Sequence, residues 1–251
     1  MITEFSTLIP KGLLQRSGSV FLSGKAAFGA PSKLYILGLN PGGCPDKQSC
    51  QTVEWHTKKV LSNELLEWSE YEHEKWNDQD AGTCGMQPRV LHMLDQLKLK
   101  AGHVPSSNLI FVRTTREKHL KAEFENLATQ CWPFHQAVID RLKIRVVLCF
   151  GQTAGKWVRK QLKTSDDVVD EFVEVNNRRW RSSVFKNAAG VAVVVATHPS
   201  IASWNTPAAD PTHLIARLLA NEQDTCGVQT DSFPLSRNVI TGVPTGGNVP
   251  R

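Results

Sequence analysis

The sequence predicts an α/β protein: a three-layer α-β-α sandwich around a central, mostly parallel four-stranded sheet. Three observations carry that expectation. Four short runs, 34–39, 108–113, 145–150 and 191–196, have continuously apolar interiors rich in β-formers, as strands buried on both faces must have. Helical segments separate them, the alternation that builds a parallel sheet covered on both sides. Two of the runs stop at a polar residue followed by proline, Asn40-Pro41 and His198-Pro199. In open α/β sheets the crevice beyond the carboxyl ends of the strands is where ligands bind.

Residues 1–33 form a mixed lead-in with at most a short helix and turns. The run Leu34-Tyr35-Ile36-Leu37-Gly38-Leu39 then meets Asn40-Pro41-Gly42-Gly43, a buried strand entering a tight loop. Residues 44–88 are polar and irregular, with helical periodicity through Val60, Leu61, Leu65 and Leu66, and are placed to wall or lid a pocket at that loop. Pro88 opens an amphipathic helix over RVLHMLDQLKLK, and Gly102 is expected to end it. Asn108 begins the second strand, followed by a polar loop from Thr114 to His119. A long helix over about 122–142 is interrupted near Pro133, and the third strand ends at Gly151. GQTAGKWVRKQL starts a helix whose small residues permit tight packing on the sheet. Residues 164–190 are a charged excursion with a hairpin around 172–175 and 180–185. The fourth strand ends in Thr197-His198-Pro199-Ser200, and HLIARLLA is the closing helix. One unit over 1–225 is expected, with 44–88 as an insert near the site and 226–251 as a flexible tail.

Composition excludes several classes. Hydrophobic and charged residues make up 41% and 21% of the chain, ordinary for a soluble globule. No apolar run approaches the roughly 18–20 residues of a membrane span, and the N-terminus lacks the pattern of a signal peptide. A cytoplasmic location is expected, or a nuclear one in a eukaryote. The net charge of +5 is compatible with a nucleic-acid partner without establishing one. The basic clusters around Lys58, Arg113, Lys156 and Arg178 each read as a solvated face before they read as a phosphate track. The six cysteines contain no C-x-x-C pair. Cys44, Cys50, His56 and Cys84 fit no familiar zinc spacing, so no metal is expected. A nucleotide-binding enzyme is disfavoured, because the chain has no G-x-x-x-x-G-K-[ST] and GLNPGG is not the dinucleotide fingerprint.

Gly38-Leu39-Asn40-Pro41-Gly42 and His198-Pro199-Ser200, in this order and at strand ends, resemble the two motif loops of the uracil-DNA glycosylase superfamily. The resemblance covers about residues 20–220. The first loop is most similar to the mismatch-specific uracil/thymine-DNA glycosylases, which carry an Asn at this site. The resemblance implies a monofunctional DNA glycosylase that flips a pyrimidine out of DNA and hydrolyses its N-glycosidic bond. By that similarity Asn40 orients the attacking water and His198 donates to the base's O2. Gly38, Leu39, Pro41, Gly42 and Gly43 shape the base pocket. Asn108 stands where several branches read the pyrimidine edge, and Trp55 is the candidate to stack on the flipped base. Pro199, Ser200, Ile201, Ser203 and Trp204 are assigned to DNA contact.

Two departures shape the expected substrate. Many relatives place a bulky aromatic after the loop proline, where it excludes a 5-substituent; here Gly42 and Gly43 leave room. Thymine or modified pyrimidines, including the decorated cytosines of some phage genomes, are therefore expected substrates, in repair or in defence. Many relatives also place a leucine wedge after His-Pro-Ser. Ala202 occupies that place, leaving Ile201 or Trp204 to serve. No cofactor is implied, since the cysteines of the iron–sulfur branches lie upstream of the first loop and this chain has none there. DNA is the implied partner, with the protein a monomer. The competing reading is a superfamily member that binds nucleic acid without cleaving it.

Overall fold

The computed structural model describes residues 1–62 and 64–220; the expected tail at 226–251 lies outside them. In chain order the elements are α1 (Ile2–Ser6), β1 (Leu34–Gly38), α2 (Val53–Leu61), α3 (Glu70–His73), α4 (Gln87–Gln96), β2 (Ser106–Asn108), α5 (Phe124–Arg141), β3 (Val146–Phe150), α6 (Gln152–Leu162), β4 (Asp170–Val173), β5 (Arg181–Lys186), β6 (Ala192–Ala196) and α7 (Thr212–Ala220). Thr52 caps α2 by accepting the Trp55 N–H, and a proline in the first turn opens α4.

The sheet has six strands in the order β2-β1-β3-β6-β5-β4. The first four pair in parallel, as the apolar runs require. The hairpin β4–β5 adds two antiparallel strands beside β6, so the sheet has six strands rather than four. The charged segment that reads as an excursion is an edge extension, buried chiefly where β5 abuts β6.

Alternate side chains of the central strands divide between two cores. Tyr35, Leu37, Val147, Cys149, Val193 and Val195 face a layer containing α1, α2, α5 and α6. Leu34, Ile36, Leu148, Phe150 and Val194 face α3, α4 and α7. This two-period alternation makes the architecture three-layered.

Three elements depart from the sequence pattern, the first being α4, which stops at Gln96 and not at Gly102. The second strand is Ser106–Asn108, so Asn108 ends it instead of beginning it. The apolar residues Leu109–Val112 run on into the core beyond the strand, while Ser106 and Ser107, polar but buried, make the ladder. Their hydrogen bonds explain the burial: Ser23 Oγ accepts the Ser106 N–H at 3.0 Å and the Ser107 hydroxyl donates to the Val20 carbonyl at 2.6 Å. Helix α5 also runs unbroken through Pro133, which lies on its exposed face where water can satisfy the carbonyl the ring leaves unpaired.

Candidate active site

The chain leaves β1 to one side for β2 and then returns to the other side for β3, so β1 stands at a topological switch point. Asn40 follows β1 by two residues. His198 follows β6 by two residues, with β3 between them. Two strand spacings separate those backbones by roughly 9–10 Å, room for a flat ring between the loops. Both residues line one cleft of about 1260 Å³, larger than the roughly 300–1,000 Å³ usual for small-ligand pockets.

Hydrogen bonds fix the orientation of the Asn40 amide. Its Nδ2 donates to the Pro41 carbonyl at 3.0 Å, the Val112 carbonyl at 3.1 Å and the Thr114 hydroxyl oxygen at 2.9 Å. Two of these groups are acceptors only, so the nitrogen is identified chemically. Oδ1 has no protein partner among the described residues. The segment after β2 holds the whole loop: the Thr114 N–H donates to the Pro41 carbonyl at 3.1 Å, and Arg113 Nη1 donates to the Gly42 carbonyl.

His198 is fixed in the complementary sense. The Ser200 N–H and hydroxyl both lie on Nδ1, at 3.1 Å and 2.8 Å. A backbone N–H can only donate, so Nδ1 is the bare nitrogen and the proton of the neutral ring sits on Nε2. Burial pushes the His198 pKa below its ordinary value, partly opposed by the Glu117 carboxylate. Two arginines clamp this loop through its backbone: Arg89 of α4 donates to the Pro199 carbonyl and Arg178 of the hairpin to the Ile201 carbonyl.

Asn108 ends β2 directly beside Gly38, its register partner. A Cβ at Gly38 would meet Asn108 Oδ1 at 2.2 Å, so glycine is what lets this amide cross the end of β1. Asn108 is 7% exposed, yet its side chain has no hydrogen-bond partner among the described residues. It reaches the cleft with donor and acceptor unspent.

Leu39 and Pro41 are buried, while Gly42 and Gly43 are exposed at the mouth. Trp55, on α2, is 47% exposed and lines the cleft. The His198 loop divides differently from the sequence expectation. Trp204 is fully buried against Phe150, with ring centroids 5.4 Å apart, and is a core residue instead of a DNA contact. Pro199 is buried as well, Ser203 is half-buried, and Ser200 and Ile201 face solvent.

Several cleft residues carry no local sequence signal. Arg113 and Thr114 sit in what reads as a strand end and a polar loop. Half-buried Glu70 has no side-chain hydrogen bond or ion pair among the described residues; burial, then the neighbouring Glu74, push its pKa up to about 7 against the opposing charges of Arg113 and Lys59. Lys59 is itself paired with Glu74 at 2.7 Å. Among the described residues no group of three or more His, Cys, Asp or Glu side chains is placed to hold a metal ion. No helix there is long and apolar enough to cross a membrane.

The family model of the uracil DNA glycosylase superfamily matches residues 26–219, from before β1 to the end of α7. No curated protein matches the chain. The match takes in the sheet, both loops and most of the cleft wall, and membership supports DNA glycosylase activity. The chain belongs to the uracil DNA glycosylase superfamily.

Proposed function

We propose that the cleft hydrolyses the N-glycosidic bond of a pyrimidine flipped out of DNA, and that it accepts 5-substituted or otherwise modified pyrimidines. The observation that carries this reading is a complementary pair at two strand ends. Asn40 offers a free acceptor, Oδ1, and His198 a fixed donor, Nε2–H.

The chemistry follows from that pair. Asn40 Oδ1 accepts a hydrogen bond from a water and aims its lone pair at C1′. As the C1′–N1 bond breaks, its electrons pass into the base and charge builds on O2, where the Nε2–H of His198 stabilises it. The water oxygen bonds C1′, its proton leaves to solvent or base, and the products are an abasic site and a free base. An amide does not ionise, so rate comes from positioning and from stabilising the leaving group. Asn108 reads the base edge through its amide. Lys59, held by Glu74, is a poor candidate for a Schiff-base nucleophile, in keeping with hydrolysis alone.

Gly42 supplies the room at C5, since its missing side chain faces open space: a Cβ there meets nothing within 4 Å. This room suits substrates met in repair or in defence against phage with modified DNA. The test is a panel of duplexes carrying uracil, a thymine mispair or 5-substituted cytosines, with alkaline cleavage of the abasic product. Asn40→Ala should abolish the product while salt-sensitive DNA binding stays within a few-fold of wild type. Activity confined to uracil rejects the modified-pyrimidine reading. Binding without cleavage by either protein leaves a non-catalytic DNA-binding protein.

A further inference from the structure

A base that leaves the duplex leaves a gap in the stack, and proteins that open such gaps commonly fill them with an apolar side chain. The His198 loop has little to offer: Ala202 and Trp204 are fully buried, and Ile201, 56% exposed, is its apolar side chain in solvent. The tip of the β4–β5 hairpin lies beside it. Trp180, 37% exposed, lines the same cleft as His198 and Ile201.

Arg178 joins the two. Its guanidinium stacks 4.2 Å from the centroid of the Trp180 ring, and its Nη1 donates to the Ile201 carbonyl. Its Nη2 pairs at 3.0 Å with Oε2 of Glu174, whose side chain is fully buried. Asn176 braces the same unit, donating to Glu174 Oε2 at 2.7 Å and accepting the Arg178 N–H at 2.9 Å. The Glu174 N–H closes the tip by donating to the Trp180 carbonyl at 2.8 Å. A buried carboxylate is costly to maintain, and its other oxygen, Oε1, has no partner. The tip therefore spends burial and four side-chain or backbone bonds on holding one exposed indole in place. Arg179, also on the cleft wall, has no ion pair among the described residues and is suited to a phosphate.

We infer that this tip is an intercalating plug: Trp180, backed by Arg178 and set beside Ile201, enters a DNA base stack where a nucleotide has swung out. The glycosylase reading supplies the reason for the gap, and the plug is tested on a gap made in advance. The probes are one duplex with a tetrahydrofuran abasic analogue flanked by 2-aminopurine, and the same duplex intact.

Wild type should bind the gapped duplex about tenfold more tightly than the intact one, within the range expected for stacking one base on an aromatic side chain. The neighbouring 2-aminopurine should be quenched. Trp180→Ala should bring the ratio of affinities to roughly one and lose the quenching, and Trp180→Phe should restore most of both. A wild type without the preference, a Trp180→Ala that keeps it, or an equal loss of both affinities overturns the plug. Base release is scored separately: a protein that prefers the gap through Trp180 yet frees no base keeps the plug and loses the glycosylase reading.

Discussion

Ser200 places both of its donors on one nitrogen of His198, the N–H at 3.1 Å and the hydroxyl at 2.8 Å from Nδ1. The N–H bond requires an unprotonated Nδ1, and the hydroxyl then donates to the same nitrogen, so the loop favours the neutral ring and works in the same direction as burial, which already lowers the pKa below 6.5. A lowered pKa means that His198 stays neutral as the pH falls through 6.5, and gains its second proton only at lower pH. Ser200→Ala removes one of the two donors. The acid limb of the base-release profile should then move to higher pH, and the His198 ring should titrate at higher pH by NMR. A limb that stays in place would show that the hydroxyl does not set the ring's protonation.

Thr114 plays the corresponding part for Asn40. Its hydroxyl donates to the Arg116 carbonyl at 3.2 Å, which leaves its oxygen lone pairs to accept from Asn40 Nδ2. Thr114→Val keeps the shape and removes the acceptor. The amide is then less firmly oriented, and kcat should fall roughly five- to tenfold with little change in KM, as the loss of about 1 kcal/mol of positioning implies. Thr114→Ser should recover most of the rate. A KM effect alone would assign Thr114 to substrate binding.

The central strands were legible because a strand buried on both faces reads as an unbroken apolar run, as β1, β3 and β6 do. The same signal misplaced β2. Apolar character reports burial, and Leu109–Val112 are buried beyond the strand, while Ser106 and Ser107 are polar residues whose buried hydroxyls donate to the carbonyls of Val104 and of the distant Val20. Asn40 and His198 stood out because each breaks an apolar run just before a proline. Trp204 reads as a wedge from its position after His198, but its burial against Phe150 is a tertiary fact. Arg89, Arg178 and Thr114 hold the loops through contacts with residues 110, 23 and 74 positions away, and no local pattern encodes such pairs.

Glu70 makes a pH-dependent prediction about stability. Its pKa is pushed up from 4.5 to about 7 in the folded protein, chiefly by burial. The fold binds this proton more tightly than the unfolded chain does. The resulting stability is fully present below about pH 4.5 and is lost as the pH rises through about 7. Glu70→Gln removes the ionisation, so the variant should gain on wild type across that window, by on the order of 2 kcal/mol above it. Thermal melts between about pH 4 and pH 8 measure this. A melting-temperature difference that does not change with pH would mean that the Glu70 carboxyl titrates normally.

Gly42 and Gly43 look alike in the sequence but differ in structure. Gly43 has φ +110°, a left-handed conformation that favours glycine, and a Cβ there would meet Gln48 Oε1 at 2.1 Å. Gly42 lacks a positive φ, and a Cβ built on it meets nothing within 4 Å. The backbone therefore tolerates a side chain at position 42, and that side chain stands in the cleft next to Asn40. Gly42→Phe should fill the room assigned to a 5-substituent. The ratio of 5-substituted pyrimidine release to uracil release should fall at least about tenfold, the scale on which shape complementarity in an apolar pocket discriminates. Gly42→Ala should give a smaller fall in the same direction. Gly43→Ala is the contrasting control, because backbone strain there should lower both activities together. If Gly42→Phe also lowers both equally, the ring blocks entry of any base, and room at C5 is set elsewhere in the cleft.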